Sequence, residues 1–197
     1  MNARLLLLVA GLCAAGAVHA GDPAAGKFKF STCSGCHGVP GYTNVYPSYH
    51  VPKLGGQHAD YITAALGEYR AGKRQHPTMT ANASVLGEAD IADIAAYLSG
   101  IAPAAGQTPA RGDPAAGKQK AAVCAACHGA DGQAPSPAFP RLAGQHADYL
   151  VHALQAYKDG TRQNPIMQGM AANLSAQDQL DLAAWFTSQP QGLAVPR

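Results

Sequence analysis

Past its first twenty residues the chain has no apolar run approaching the roughly 20 residues that a bilayer-spanning helix needs, so no transmembrane anchor is expected in the mature protein. It also has no excess of charge of one sign. With Arg4 removed alongside a leader, 13 basic side chains face 12 acidic ones. That balance excludes a nucleic-acid binder and a basic membrane-surface protein. β-Branched residues are sparse around the cysteines, where the sequence is rich in alanine, so the βαβ setting of a thioredoxin-type thiol pair is absent. Methionine is scarce: Met79, Met167 and Met170 are the only ones after Met1.

The chain starts Met-Asn-Ala-Arg, runs apolar from Leu5 to Ala17 and reaches Val18-His19-Ala20 before Gly21-Asp22-Pro23. This is the layout of a cleaved secretory signal. Residues 1–20 are expected to be removed by cleavage after Ala20, taking Cys13 with them, and the mature protein is expected in the periplasm. Peripheral association with the membrane remains compatible with this.

Two runs organise what is left: Cys33-Ser34-Gly35-Cys36-His37 and Cys124-Ala125-Ala126-Cys127-His128. Cys-x-x-Cys-His is the attachment pattern of haem c. Two thiols three positions apart lie on one side of a helical turn and each adds to a porphyrin vinyl group, while the next residue sits under the iron. Pooling the four cysteines into one zinc site is disfavoured, because the second pair lies far beyond the gap of about 15–20 residues in four-cysteine zinc patterns. The sequence thus predicts two covalently bound haems, tethered at Cys33, Cys36, Cys124 and Cys127, with His37 and His128 as iron ligands.

The chain is also duplicated. Gly21-Asp22-Pro23-Ala24-Ala25-Gly26-Lys27 recurs as Gly112-Asp113-Pro114-Ala115-Ala116-Gly117-Lys118, and Gly-Gln-His-Ala-Asp-Tyr appears at 56–61 and again at 144–149. The register is 91 residues through the cysteine motifs and 88 afterwards. Residues 21–100 and 112–197 therefore read as one domain copied, joined by a Pro/Ala/Gly linker at 101–111. Each copy is expected to hold three helices. The first opens at an Asp N-cap followed by Pro and carries into the cysteine motif. The second starts near Gln57 or Gln145 and stops near Gly72 or Gly160. The third runs from about Glu88 to Leu98, or from Ser175 to Phe186. Long loops and a flat cofactor complete an all-α module, with Gly26 and Phe30, or Gly117 and Ala121, facing Tyr97 or Trp185.

Each iron in an electron carrier needs a second axial ligand. Met79 and Met167 occupy equivalent positions in the repeat, whereas Met170 aligns with Asn82; the first two are predicted as ligands. A thioether favours ferrous iron and raises the potential relative to a second imidazole. A ligating histidine also donates its other ring N–H to a fixed acceptor, and the carbonyls of Pro52 and Pro140 are placed for it. Lys53 and Arg141, next in sequence, are expected to be solvated, with contact to a haem propionate as the alternative. His58 and His146 are expected to cap helices or lie on the surface.

Cys-x-x-Cys-His, Pro-x-Leu-x-Gly and a later methionine resemble a class I cytochrome c. Two such units after a signal peptide, with Gly-Gln-His-Ala-Asp-Tyr and the Met-Gln-Gly-Met-Ala run at 167–171, resemble the dihaem cytochrome c4 family. The resemblance implies two domains packed about a pseudo-twofold axis. It also implies a monomeric carrier passing electrons from a quinol-oxidising complex to a terminal oxidase. The alternative is the cytochrome subunit of a periplasmic dehydrogenase, such as a flavin-containing sulfide oxidiser. Catalysis in its own right needs an open iron position, and with Met79 and Met167 in place neither iron has one.

Overall fold

The computed structural model describes residues 21–107 and 111–197; the leader and its cleavage point lie outside them. In the first copy the helices are α1 (Pro23–Phe30), α2 (Ser34–His37), α3 (Ala59–Arg70), α4 (Pro77–Ser84) and α5 (Glu88–Ser99). A short strand β1 (Ala104–Ala105) lies in the linker. The second copy repeats the order as α6 (Pro114–Lys120), α7 (Ala125–His128), α8 (Ala147–Asp159), α9 (Pro165–Ala172) and α10 (Ala176–Thr187), then β2 (Gln191–Gly192). An all-α architecture with minimal strand is what the repeat predicted.

Local chemistry sets the helix starts. The carboxylates of Asp22 and Asp113 accept the amides of Ala24 and Ala115 at 2.8 Å, with proline at the first helical position. Ser175 and Asp178 form a reciprocal capping box on α10. Two expectations need correction. The first helix does not carry unbroken into the cysteine motif: α1 ends at Phe30, with a turn before α2, and α6 ends at Lys120, where one turn of 3-10 helix over Ala121–Val123 leads to Cys124 and α7. The segment holding each predicted methionine ligand is a helix rather than a loop. His76 and Asn164 cap α4 and α9, receiving the Met79 and Met167 amides at 3.2 and 3.1 Å, and Pro77 and Pro165 follow them. The signal was present as a capping residue followed by proline.

In each copy the first and last helices cross closely. A Cβ on Gly26 would lie 1.9 Å from the Asp93 carbonyl oxygen and 2.9 Å from Tyr97 Cβ, and one on Gly117 would meet Asp181 and Trp185 at the same distances. Phe30 packs on Tyr97 at 5.7 Å between ring centroids, while Ala121 sits in the cluster that half-buried Trp185 covers. The larger ring thus opposes the smaller residue, as the sequence suggested. Lys29 and Lys120 tie the crossings by ion pairs of 2.6 Å to the buried Asp93 and Asp181.

The copies pack through their repeated polar segment. Gln57 and Gln145, both buried, reach across reciprocally. Gln145 Oε1 accepts the Lys53 amide and its Nε2 donates to the Lys53 carbonyl, both at 2.9 Å. Gln57 does the same for Arg141 at 2.8 and 3.0 Å. Gly56 and Gly144 take positive φ, a conformation that costs glycine little, and their carbonyls receive Arg141 and Lys53 side chains at 2.5 Å. Lys53 is therefore not solvated as expected: it is 5 % exposed and spent on the other copy. His58 and His146 make no capping bond. Instead His58 Nε2 bonds the Ala134 carbonyl of the second copy at 2.8 Å, and buried His146 bonds Gln107 at 3.2 Å.

Other contacts reinforce the joint. Arg74 and Arg162 face each other in an antiparallel bridge, and each donates to a tyrosine hydroxyl of the opposite copy, Tyr149 at 2.6 Å and Tyr61 at 2.8 Å. The loop at 38–51, three residues longer than its counterpart at 129–139, places Tyr49 on the His152 ring at 4.0 Å and pairs His50 with Asp148 at 2.6 Å. The C-terminal tail leaves the second copy, pairs with β1, and crosses to the first, where Ala194 exchanges hydrogen bonds with Gly55 at 2.9 Å.

Replacing Gln145 with alanine strands the Lys53 amide and carbonyl, and should cost about 2 kcal/mol of unfolding free energy, read by guanidinium unfolding of the holo-protein. Burial, chiefly, together with Lys53 and His50 pushes the His146 ring down to about 4 against the opposing pull of Asp148. Below its ordinary value near 6.5 the unfolded chain takes up a proton that the folded chain refuses. Stability should then fall as pH drops from about 6.5 to about 4, by up to about 3 kcal/mol, and the same unfolding series on His146→Gln should show a shallower slope.

Candidate haem sites

The helices α2 and α7 carry the cysteine motifs. Cys33, Cys36, Cys124 and Cys127 are unpaired thiols, and burial pushes those of Cys33 and Cys124 up. Among the described residues no group of three or more His, Cys, Asp or Glu is gathered as a metal cluster.

His37 and His128 close these short helices and are only 8 % and 7 % exposed. Nδ1 of each lies 3.0 Å from a proline carbonyl, Pro52 for His37 and Pro140 for His128. A carbonyl accepts only, so Nδ1 carries the hydrogen and Nε2 is left with a free lone pair. Burial is the main influence on both rings and lowers their proton affinity, which the proline carbonyls partly offset. Both are therefore neutral at pH 7, the form in which imidazole ligates metal. The charges of Arg74 and His76 add to that lowering at His37.

Met79 and Met167 occupy the third position of α4 and α9, five residues after Arg74 and Arg162, and both are half-buried. The sequence missed the two arginines. Each guanidinium rests on a tyrosine of its own copy, Arg74 on Tyr69 and Arg162 on Tyr157, both at 4.5 Å. Glu68, the carboxylate nearest Arg162 among the ion pairs of the described residues, is 3.8 Å from it, and Ala156 stands at the equivalent position of the other copy. Among the described residues Arg162 Nε and Arg141 Nε are buried without a hydrogen-bond partner, as is Glu68 Oε2. Buried cationic donors left over in this way suit the carboxylates of a porphyrin. The thiol pairs and neutral imidazoles fit haem c in each copy, and the spare guanidinium donors, both carried by the second copy, suit its propionates.

Comparison with known proteins agrees. The cytochrome c family model matches twice, at residues 23–102 and 114–189. Cytochrome c4 of Pseudomonas aeruginosa is 52 % identical over 101 residues, a match covering 50 % of this chain and 47 % of that protein, so this match spans about half the length of that relative. Cytochrome c-552 of Acidithiobacillus ferridurans is 36 % identical over 93 % of this chain and 84 % of its own. Among solved structures, reduced recombinant cytochrome c4 from Pseudomonas stutzeri superposes with a TM-score of 0.71 at 33 % identity, over 86 % of this chain and all of the other. The thiosulfate dehydrogenase TsdBA of Marichromatium purpuratum gives a TM-score of 0.71 at 34 % identity, over 80 % of this chain but 36 % of that one. Among the described residues no helix is long and apolar enough to cross a membrane. With two matched domains, two attachment motifs and a structural likeness over most of its length, the chain belongs to the cytochrome c family, as an electron-transfer protein of the dihaem cytochrome c4 type carrying two covalently bound haems.

Proposed function

We propose that this protein is a periplasmic one-electron relay in which residues 21–100 and 112–197 each carry one haem. The tethers are Cys33 with Cys36, and Cys124 with Cys127, and the axial pairs are His37 with Met79 and His128 with Met167. Residues 101–111 join the two units. The observation that supports this most is the duplicated pairing of a neutral, proline-anchored imidazole with a methionine in the same register on a capped helix. Haem iron supplies the Fe(III)/Fe(II) couple when bound. The chain's residues do the rest: the proline carbonyls orient the imidazoles, and the neutral thioethers favour the reduced state. With both axial positions filled the protein relays electrons and is not itself an enzyme. In this reading it is monomeric, takes electrons from a quinol-oxidising complex of the bc1 type and passes them to a terminal oxidase.

A second reading makes it the electron-accepting cytochrome of a periplasmic dehydrogenase. The likeness to TsdBA, a thiosulfate dehydrogenase of which this chain matches about a third, favours that partner class over the flavin-containing sulfide oxidiser suggested by sequence. Native purification separates the two: a free monomer supports the carrier, and a stoichiometric complex supports the subunit.

Met79→Ala and Met167→Ala should each remove about half of the far-red sulfur-to-iron absorption of the oxidised protein and lower the potential of one haem. Met170→Ala should leave both unchanged. A redox titration followed spectrally checks this, and retention of the full band in either ligand variant overturns the assignment. Mass spectrometry of the exported protein should find two haems on the polypeptide.

A further inference from the structure

The carbonyl that anchors each imidazole and the amide held by the opposite copy's glutamine belong to one peptide group. Pro52 O accepts His37 Nδ1–H at 3.0 Å, and the N–H of that same peptide, on Lys53, donates to Gln145 Oε1 at 2.9 Å. In the other copy Pro140 O accepts His128 Nδ1–H at 3.0 Å, and the Arg141 N–H donates to Gln57 Oε1 at 2.8 Å. Each chain of bonds therefore starts at a histidine of one domain and ends on a side chain of the other.

The glutamines are fixed for this purpose. Each is 4 % exposed. Their Nε2 groups donate back to the Lys53 and Arg141 carbonyls, which settles which end of the amide is oxygen. Each Oε1 also accepts the amide of the following histidine at 3.0 Å, His146 or His58.

We propose that Gln145 and Gln57 are positioning residues that tune the haem of the opposite domain, through the peptide that anchors its axial histidine. Accepting the peptide N–H draws charge onto the proline oxygen, because consecutive hydrogen bonds polarise one another. A more negative oxygen pulls harder on the imidazole Nδ1–H, and Nε2 becomes the stronger donor to iron. Stronger donation stabilises ferric iron more than ferrous, so each glutamine lowers the potential of the domain it does not belong to. It follows that the interface itself sets both potentials, and that loosening the joint raises them. This inference rests on His37 and His128 being the axial ligands.

The test uses the full-length protein with both haems. Axial-imidazole NMR signals from His37 and His128 in the reduced wild type are read first. If they are missing, the carrier reading falls and takes this inference with it. The two one-electron steps are then titrated in Gln145→Ala and Gln57→Ala, each haem being followed by its own methyl signals assigned through contacts within its own domain. Gln145→Met and Gln57→Met, which keep length and bulk without the polar end, repeat the measurement where alanine unfolds the joint. The expected result is crossed: the Gln145 variants raise the N-terminal step and the Gln57 variants the C-terminal one. The ratio in which the two haems share a single electron should shift several-fold in opposite directions. The Nδ1–H signal of the affected histidine should move upfield as its hydrogen bond weakens. Shifts confined to the variant's own domain, equal shifts of both steps, or no shift with the imidazole signals intact would overturn this inference alone.

Discussion

Everything in this protein turns on a buried imidazole that keeps its neutral form and a fixed orientation. His37 and His128 stay uncharged because burial penalises the cation more than the proline carbonyl favours it. They point one way because Nδ1–H has a single acceptor at 3.0 Å. The acceptors lie on non-helical segments, Pro52-Lys53 and Pro140-Arg141, which have no local secondary structure to hold them. What holds them is the other copy, through Gln145 and Gln57. The orientation of each of these histidine rings is thus an interface property, and the two halves are better seen as mutually braced than as beads on a linker.

That bracing also explains where polar residues go. A small domain with a modest aliphatic cluster leaves many backbone groups near its surface, and burying them unpaired costs about 1–3 kcal/mol each. Here the buried segment ends of one copy are satisfied by side chains of the other: Gly56 and Gly144 by Arg141 and Lys53, and Ala134 by His58. The tyrosine hydroxyls of Tyr61 and Tyr149 receive Arg162 and Arg74 in the same manner. The C-terminal tail adds a strap through Ala194 and Gly55. Symmetry breaks at Glu68 and in the loop carrying Tyr49 and His50, so the two haem environments share a plan without being identical.

Much was legible before any coordinates. The cysteine motifs announce covalent chemistry because thiol spacing and the adjacent histidine are consecutive in the chain. Asp-Pro starts and the Ser175 capping box are each encoded within a few residues, and the exchange of Phe30 and Ala121 against Tyr97 and Trp185 is legible only because the repeat sets the two copies side by side. The methionine-bearing helices were overlooked although His76-Pro77 and Asn164-Pro165 mark their starts, since eight residues give too little periodicity to stand out from a loop.

The sequence by itself determined that there are two haems, because each attachment motif is five consecutive residues, and its repeat register named the candidates to tether and ligate them. Only the tertiary structure decided that Gln57, His58, Lys53 and their counterparts form a reciprocal joint rather than helix caps and solvated charges. A polar residue at a helix start can cap its own helix or bond a neighbouring domain at similar cost, and the choice depends on which unpaired backbone groups are brought opposite it when the copies pack.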